Sequence, residues 1–254
     1  MIGPYEPGIC PTSEFGVYQG DAWELAALLP DQSIDCIWTD PEYNRAEDYM
    51  RLAKLARRVL KPTGHLLSFY GIAYTEQTYR ALREGGLPVK WQLIVWQPGQ
   101  TGRVHPKIFI AHYNAVWCPR SELAHPFKAT TDTKTSYNGQ MQRRGSMSWS
   151  WRKNPNPIME WLPSFCPVDG VVLDIFSGFC SIPEAAIRCG RKYIAFEQDR
   201  DKVDWSRDYL ANNVQPALIA PDGEDYQTMS LLGALSAEEG EVDGSEAEEP
   251  DGLT

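Results

Sequence analysis

Apolar and polar positions along the chain alternate between two rhythms. Ser33-Ile34-Asp35-Cys36-Ile37-Trp38-Thr39 reads as a strand. Ala46 to Leu60 places apolar residues at helical spacing (Tyr49, Leu52, Ala53, Leu55, Ala56, Val59, Leu60) and closes on Lys61-Pro62-Thr63-Gly64. His65 to Tyr70 predicts the next strand. A helix over Ala73 to Glu84 leads through Gly85-Gly86 to a strand at Trp91 to Trp96, and Ile108 to Cys118 makes another. A loop-rich segment runs from Pro119 to about Asn156. Regular structure then returns with a helix at Ile158 to Phe165, a strand at Val171 to Asp174 and a helix at Pro183 to Cys189. A strand at Lys192 to Glu197 and a helix from about Asp201 to Asn212 follow. Strands alternating with helices predict a mostly parallel α/β sheet covered on both faces. In such sheets ligands sit beyond the carboxyl ends of the strands, where the winding reverses. Two strands end in acidic residues followed by unusual loops, at Asp40 and at Asp174, so these two ends should be neighbours.

Composition narrows the class. A chain of 254 residues with 43% hydrophobic content can bury one substantial core, with room for an appendage. Its longest apolar stretches are strand-length, and Met1-Ile2-Gly3-Pro4 lacks the basic-then-apolar plan of a signal peptide, so no membrane and a cytoplasmic location are expected. The six cysteines (10, 36, 118, 166, 180 and 189) never form a C-x-x-C pair, which argues for buried thiols rather than a metal site or a disulfide framework. The net charge of −10 is concentrated at one end: residues 221–254 hold eleven acidic residues and no Lys or Arg, leaving residues 1–220 close to neutral. The expected organisation is therefore a body over 1–220 and an acidic, disordered tail over 221–254. The tail's one apolar cluster, 229–235, is short enough to be a docking helix for a protein partner.

Two loops carry candidate chemistry. Val171-Val172-Leu173-Asp174-Ile175-Phe176-Ser177-Gly178 is a buried strand running into a tight turn, and the helix after it opens at Pro183-Glu184, so backbone N–H groups gather where an anionic group could bind. About twenty residues on, Glu197 ends a strand where a carboxylate can accept hydrogen bonds from ribose hydroxyls. In Thr39-Asp40-Pro41-Glu42-Tyr43-Asn44, Asp40 and the Pro41 carbonyl offer two acceptors for an exocyclic amine, and Tyr43 offers a flat face for a base. Proline fixes the local φ and so positions the acceptors in advance. Taken alone, both loops also read as ordinary turns between core elements. Between Pro119 and Asn156, Arg120, Lys128, Lys134, Arg143, Arg144, Arg152 and Lys153 interleave with Tyr137, Trp149 and Trp151, against only Glu122 and Asp132. Cations with aromatic rings suit a nucleic-acid surface; the alternative is a solvated loop whose tryptophans pack on the body. His105 and His112 suggest a base, but His112 lies within the strand Ile108 to Cys118 and is read as structural.

Together these pieces resemble the DNA amino-methyltransferases. Thr-Asp-Pro-Glu-Tyr-Asn is similar to their Asp-Pro-Pro-Tyr motif, and Val-Leu-Asp-Ile-Phe-Ser-Gly to their Asp-Pro-Phe-x-Gly-Ser-Gly motif. Gly20-Asp21-Ala22, Arg58 to Gly64 and Gly190 to Glu197 resemble the family's connecting segments. The order, catalytic motif first and cofactor motif last with a basic segment between, is that of the circularly permuted beta class. The resemblance implies a Rossmann-like, mostly parallel seven-stranded sheet, S-adenosyl-L-methionine as cofactor, and site-specific methyl transfer to adenine N6 or cytosine N4 in DNA, as in restriction-modification. It implies that Asp40, Pro41 and Tyr43 hold the target base, and that Asp21, Asp174, Phe176, Ser177, Gly178 and Glu197 hold the cofactor. Arg120, Lys134, Arg143, Arg144, Trp149, Trp151, Arg152 and Lys153 would contact DNA. The short basic segment implies a short recognition site, or one read with a second subunit in a homodimer. Asp at the head of the motif leans toward adenine N6. Four positions depart from the pattern: Ile175 replaces a Pro, Phe179-Cys180 replaces Ser-Gly, and Glu42 replaces the second Pro, setting a second carboxylate beside Asp40. Cytosine N4 methylation, RNA or protein amide targets, and a DNA-binding protein that keeps the fold without transfer remain the alternatives.

Overall fold

The computed structural model describes residues 16–97, 102–105, 108–135 and 152–215, with 102–105 and 108–109 described as backbone only. In chain order the elements are β1 (Gly16–Gln19), α1 (Ala22–Ala27), β2 (Ile34–Thr39), α2 (Ala46–Val59) and β3 (Leu60–Tyr70). A single 3-10 turn (Ile72–Tyr74) and α3 (Thr75–Glu84) follow, then β4 (Trp91–Trp96), β5 (Gly102–His105), β6 (Ile108–Ile110), β7 (His112–Pro119) and β8 (Thr133–Thr135). The last part holds α4 (Asn156–Phe165), β9 (Val171–Asp174), α5 (Ser181–Arg188), β10 (Lys192–Glu197) and α6 (Arg200–Asn213). One sheet runs β1-β10-β9-β2-β3-β7-β4-β8, and β5 and β6 form a separate two-stranded ribbon. The first five strands of that order are mutually parallel, and β7 is antiparallel to both its neighbours. The sheet is thus mostly parallel, as the alternating pattern predicts. An eighth strand, β8, joins the seven expected by pairing with the edge of β4.

Alternation along the strands divides the core into two layers. Cys36, Trp38, Leu67, Phe69 and Val172 face a layer covered by α4, α5 and α6, through Ile158, Trp161, Ile182, Ala185 and Val203. Ile37, Leu66, Tyr70, Leu173 and Phe196 face the opposite layer, covered by α1, α2 and α3 through Leu25, Tyr49, Leu52 and Ala81. Because both faces are dry, the central strands read as nearly continuous apolar runs.

Several boundaries depart from expectation for local reasons. β3 begins at Leu60, within what reads as the end of a helix: Ile34 pairs with Leu60 but Cys36 pairs with His65, so a bulge absorbs Lys61 to Gly64. The single strand expected over Ile108 to Cys118 is two, broken at Ala111, whose carbonyl takes the Gln97 N–H. α5 starts at Ser181 rather than Pro183, because Cys180 turns the chain in a left-handed conformation (φ 53°) and Pro183 falls in the first turn, where its missing N–H costs nothing. β1, α1 and β8 are too short to leave a periodic signal.

Candidate active site

The two acidic strand ends are adjacent, as the strand-end rule requires: β2 pairs directly with β9, Ile37 lying opposite Leu173. The Thr39 hydroxyl crosses the gap and donates to Asp174 Oδ1 at 2.8 Å, and the Phe176 N–H donates to the same oxygen at 3.2 Å. Asp174 is 2% exposed, and among the described residues its Oδ2 has no hydrogen-bond partner; neither has the buried Ser177 Oγ. Burial pushes the Asp174 carboxyl up to about 8, against the pull of the Thr39 and Phe176 bonds and with help from the charges of Asp40 and Glu197. The turn beyond is held by Glu197, whose Oε2 accepts the Gly178 N–H and whose Oε1 accepts the Asp199 N–H, each at 2.9 Å. Gly178 has a φ of 49°, and a Cβ placed there would meet nothing within 4 Å, so the turn opens onto free space. That space is a cleft of about 480 Å³ whose walls include Asp21, Trp23, Phe176, Ser177, Asp40 and Lys153. Asp21 caps α1, its Oδ1 accepting the N–H groups of Trp23 and Glu24. Trp23 meets Phe176 edge-on, with ring centroids 5.6 Å apart, and carries the Arg51 guanidinium on its face at 4.2 Å.

The loop after β2 is arranged differently. Tyr43 donates its hydroxyl to Asp40 Oδ1 at 2.9 Å, and Lys153 Nζ lies 3.0 Å from Asp40 Oδ2 while donating to the Tyr43 oxygen at 2.9 Å. Tyr43 closes onto the end of β3 at Gly71, where even a Cβ would sit 3.0 Å from the tyrosine side chain. Burial, followed by the charge of Asp40, holds the Tyr43 hydroxyl well above its ordinary pKa, so it stays a neutral donor. Pro41 is buried beneath the loop. Glu42, expected to crowd Asp40 with like charge, instead points outward: its side chain is 73% exposed and pairs loosely with Arg45 at 4.0 Å. Phe179, which stands where the family pattern has a small residue, packs edge-on against Trp205 of α6 at 5.5 Å, while its carbonyl accepts Arg152 Nε at 2.8 Å.

Among the described residues, the members of the basic segment do not share one surface. Arg143, Arg144, Trp149 and Trp151 lie outside the described residues, as do the acidic tail and the apolar cluster within it. Arg120 follows β7 at the amino-terminal end of β3, the edge of the sheet opposite the cleft, and its Nε binds the Arg57 carbonyl. Lys134, on β8, pairs with Glu160 at 3.5 Å. Arg152 is not a solvated cation: it forms a buried ion pair with Glu184, stacks 4.8 Å over the Tyr209 ring and anchors the Phe179 carbonyl. At 9% side-chain exposure, with Nη2 on Glu184 and Nε on the Phe179 carbonyl, this guanidinium is bound into the fold rather than presented at the surface. Lys153 is inside the cleft, on Asp40. Trp23, Phe69 and Tyr113 also belong to the site and were not singled out by sequence. Trp23 follows the Asp21 cap by two residues, which is the one signal that could have found it; Phe69 and Tyr113 read as ordinary core positions of strands.

Comparison with known proteins agrees with this arrangement. No protein-family model matches the sequence. The chain is 25% identical over 195 residues to a protein of Escherichia coli (strain K12) named "Putative methylase YubD", covering 70% of this chain and 82% of that one. It superposes on the structure titled PvuII DNA methyltransferase (cytosine-N4-specific) with a TM-score of 0.66 at 19% identity, covering 79% of this chain and 88% of the other. The chain has the methyltransferase fold. A complex of M1.HpyAVI with S-adenosylmethionine gives a TM-score of 0.64 at 16% identity, covering 76% and 98% of the two chains. Within this methyltransferase fold, the cleft at the ends of β2, β9 and β10 is the candidate active site. No helix among the described residues is long and apolar enough to cross a membrane.

Proposed function

We propose that this chain is an S-adenosylmethionine-dependent DNA methyltransferase acting on the exocyclic amine of a base turned out of the duplex, with adenine N6 as the favoured target. The observation that carries the reading is the pairing of two unlike loops in one cleft: acceptors and an aromatic face at Asp40 and Tyr43, and open polar atoms at Asp174 and Ser177. The residues present fit the cofactor. A buried Asp174 Oδ2 and Ser177 Oγ without partners would gain them from a polar, cationic ligand, and the open turn at Gly178 admits close approach. Trp23 and Phe176 supply an apolar wall for a purine. Glu197, although both oxygens hold backbone N–H groups, keeps a lone pair on each for ribose hydroxyls. When bound, S-adenosylmethionine supplies an electrophilic methyl group. The chain's own part is to hold the amine, with its N–H groups on the Asp40 carboxylate and the Pro41 carbonyl, and to stack the base on Tyr43. Such stacking is worth about 1–3 kcal/mol. It offsets much of the few kcal/mol needed to flip a base.

Asp rather than Ser at position 40 supports adenine N6, and the placement of the Asp40 loop before the Asp174 loop supports the circularly permuted beta class. The cytosine-N4 reading is favoured by one specific observation, the name of the PvuII enzyme it superposes on. Expression in a host without DNA methylation, followed by mass spectrometry of nucleosides, separates N6-methyladenine from N4-methylcytosine. Recovery of unmethylated DNA from a protein that binds the cofactor by calorimetry would sink the DNA reading and bring RNA or protein targets forward.

A further inference from the structure

We infer that Lys153 occupies the place of the target amine in the free protein and is exchanged for it when a base enters. The inference rests on the proposed function, and it concerns a residue that sequence alone assigns to phosphate contact. Lys153 Nζ sits 3.0 Å from Asp40 Oδ2 and 2.9 Å from the Tyr43 hydroxyl. Three aromatic rings surround it: Phe69 and Tyr113, each with its centroid 4.9 Å from Nζ, and Tyr43 at 5.6 Å. A nitrogen donor on that carboxylate, walled by rings, is the arrangement an exocyclic amine needs in order to be held for transfer. The lysine side chain is only 22% exposed, so its charge is directed inward to the cleft and away from a passing phosphate.

The geometry also shows why the ammonium cannot remain during transfer. Each Asp40 oxygen already has a donor, Tyr43 on Oδ1 and Lys153 on Oδ2; each keeps a second lone pair, but Lys153 Nζ fills the ring-walled space beside Oδ2, so an amine held there takes the place of the ammonium. As a neutral amine gains a methyl group it becomes cationic, and a second cation beside it on one carboxylate opposes that charge. Tyr43 is a neutral donor fixed against Gly71, whereas Lys153 is a flexible side chain with other ring faces to move over; the lysine is the group that leaves. Its backbone stays behind. The Lys153 carbonyl accepts the Ser181 hydroxyl at 2.7 Å, and the neighbouring Arg152 is fixed to Glu184 and Phe179, so the residue is tethered to the start of α5 while its side chain reaches across to the β2 loop. The exchange keeps a carboxylate and an aromatic box neutralised and filled until a base competes for them, and it selects for amines that bind Asp40 well enough to displace an ammonium.

The test is steady-state methylation of unmethylated plasmid DNA by the wild type, Lys153→Ala, Lys153→Gln and Lys153→Arg, over a range of salt concentrations, with binding of a random-sequence oligonucleotide measured by anisotropy alongside. The expected result is that Lys153→Ala and Lys153→Gln lower KM for DNA about fivefold or more and tighten oligonucleotide binding. The salt dependence should stay unchanged, and Lys153→Arg, which keeps a cation on Asp40, should lower KM by less than Lys153→Ala does. A higher KM with a salt slope smaller by about one would make Lys153 a phosphate contact and overturn the inference. A fall in kcat at unchanged KM would make it a participant in transfer, and unchanged kinetics would give it no role; both overturn it while leaving the methyltransferase reading intact. Wild type and all variants inert on DNA, with the cofactor bound and melting temperatures alike, would remove the DNA reading and the inference together. Using Ala and Gln together keeps the test decisive if one of them misfolds.

Discussion

The two loops that meet in the cleft are prepared for their ligands in opposite ways. Beyond β9, Asp174 Oδ2 and Ser177 Oγ are buried without partners and the turn at Gly178 faces open space. Beyond β2, Asp40, Tyr43 and Lys153 bond one another in a closed set. An orphaned buried polar atom costs about 1–3 kcal/mol, and a ligand that supplies its partner recovers that cost on binding. A satisfied set gives no such gain, so a ligand there must win an exchange. The difference teaches that one cleft can combine a site poised to bind by addition with a site that binds by substitution. Affinity is then concentrated on the first and selectivity on the second.

The largest effect should come from the substitution site. Asp40→Ala removes the acceptor on which the amine is held, and we expect methyl transfer to fall at least about 100-fold, the scale of losing one preorganised polar group at the reacting centre. Cofactor binding by calorimetry should survive, because Asp40 lies on the other loop. Loss of both together would break the division between the loops.

Arg152 and Lys153 are adjacent in sequence but belong to opposite sides of the comparison. Arg152 is buried against Glu184, which also takes Arg188 Nε at 2.8 Å and the Tyr209 hydroxyl at 3.2 Å. Removing one partner of a buried ion pair costs about 3–5 kcal/mol, and the retained Arg188 bond puts Arg152→Met near the lower end. In a domain of this size that is a fall of about 6–12 °C in Tm. Lys153→Ala should change Tm by far less. Equal melting losses would mean that Lys153 is structural.

The Asp174 carboxyl gives the comparison a pH signature. Its folded pKa, raised by burial to about 8, lies above the ordinary carboxylate value. The stabilisation from the protonated form is therefore complete below pH about 4 and is lost as pH rises through about 8, by up to about 1.4 kcal/mol per pH unit. A cationic cofactor beside Asp174 favours the ionised form. Cofactor affinity should then rise with pH, by at most about tenfold per unit, and level off above about 8. Asp174→Asn should flatten that profile and make the free protein more stable above pH 8. Calorimetry across pH 6–9 checks the first statement and thermal melting the second; a flat wild-type profile would detach Asp174 from cofactor binding.

How far this was legible in sequence follows from what each feature depends on. Strands Val171–Asp174 and Lys192–Glu197 were readable to the residue, because burial on both faces makes a strand a contiguous apolar run, and Trp91–Trp96 was readable from alternation, with Leu93 and Val95 buried between exposed tryptophans. The adjacency of the Asp40 and Asp174 loops followed from topology alone. The site's charges were not legible. Lys153 and Arg152 sit in a basic, aromatic segment whose composition fits a phosphate-binding surface, and only three-dimensional proximity to Asp40 and Glu184, 113 and 32 residues away along the chain, reveals their partners. Glu42 misleads for the same reason: adjacency to Asp40 in sequence implied crowding, but the turn at Pro41 sends the two side chains apart, one to Lys153 and the other toward Arg45.

The smallest expected effect tests the openness of the cofactor turn. Gly178 and Cys180 both adopt left-handed conformations, at φ 49° and 53°, so the chain already carries one non-glycine residue in that region of this turn. Gly178→Ala meets no clash, since no heavy atom lies within 4 Å of the new methyl, and the cost is the backbone strain alone, about 1–2 kcal/mol. In Tm that is a fall of a few degrees, on the order of 2–8 °C. The added methyl lines the cleft, however, beside the N–H that Glu197 holds. If ligand binding by addition depends on close backbone approach at this turn, cofactor affinity should fall by more than the stability change, whereas oligonucleotide binding, which is governed by the exchange at Asp40, should not move. A loss of affinity no larger than the strain would place the cofactor away from Gly178 and leave only the Asp174 and Ser177 side chains to carry the addition site.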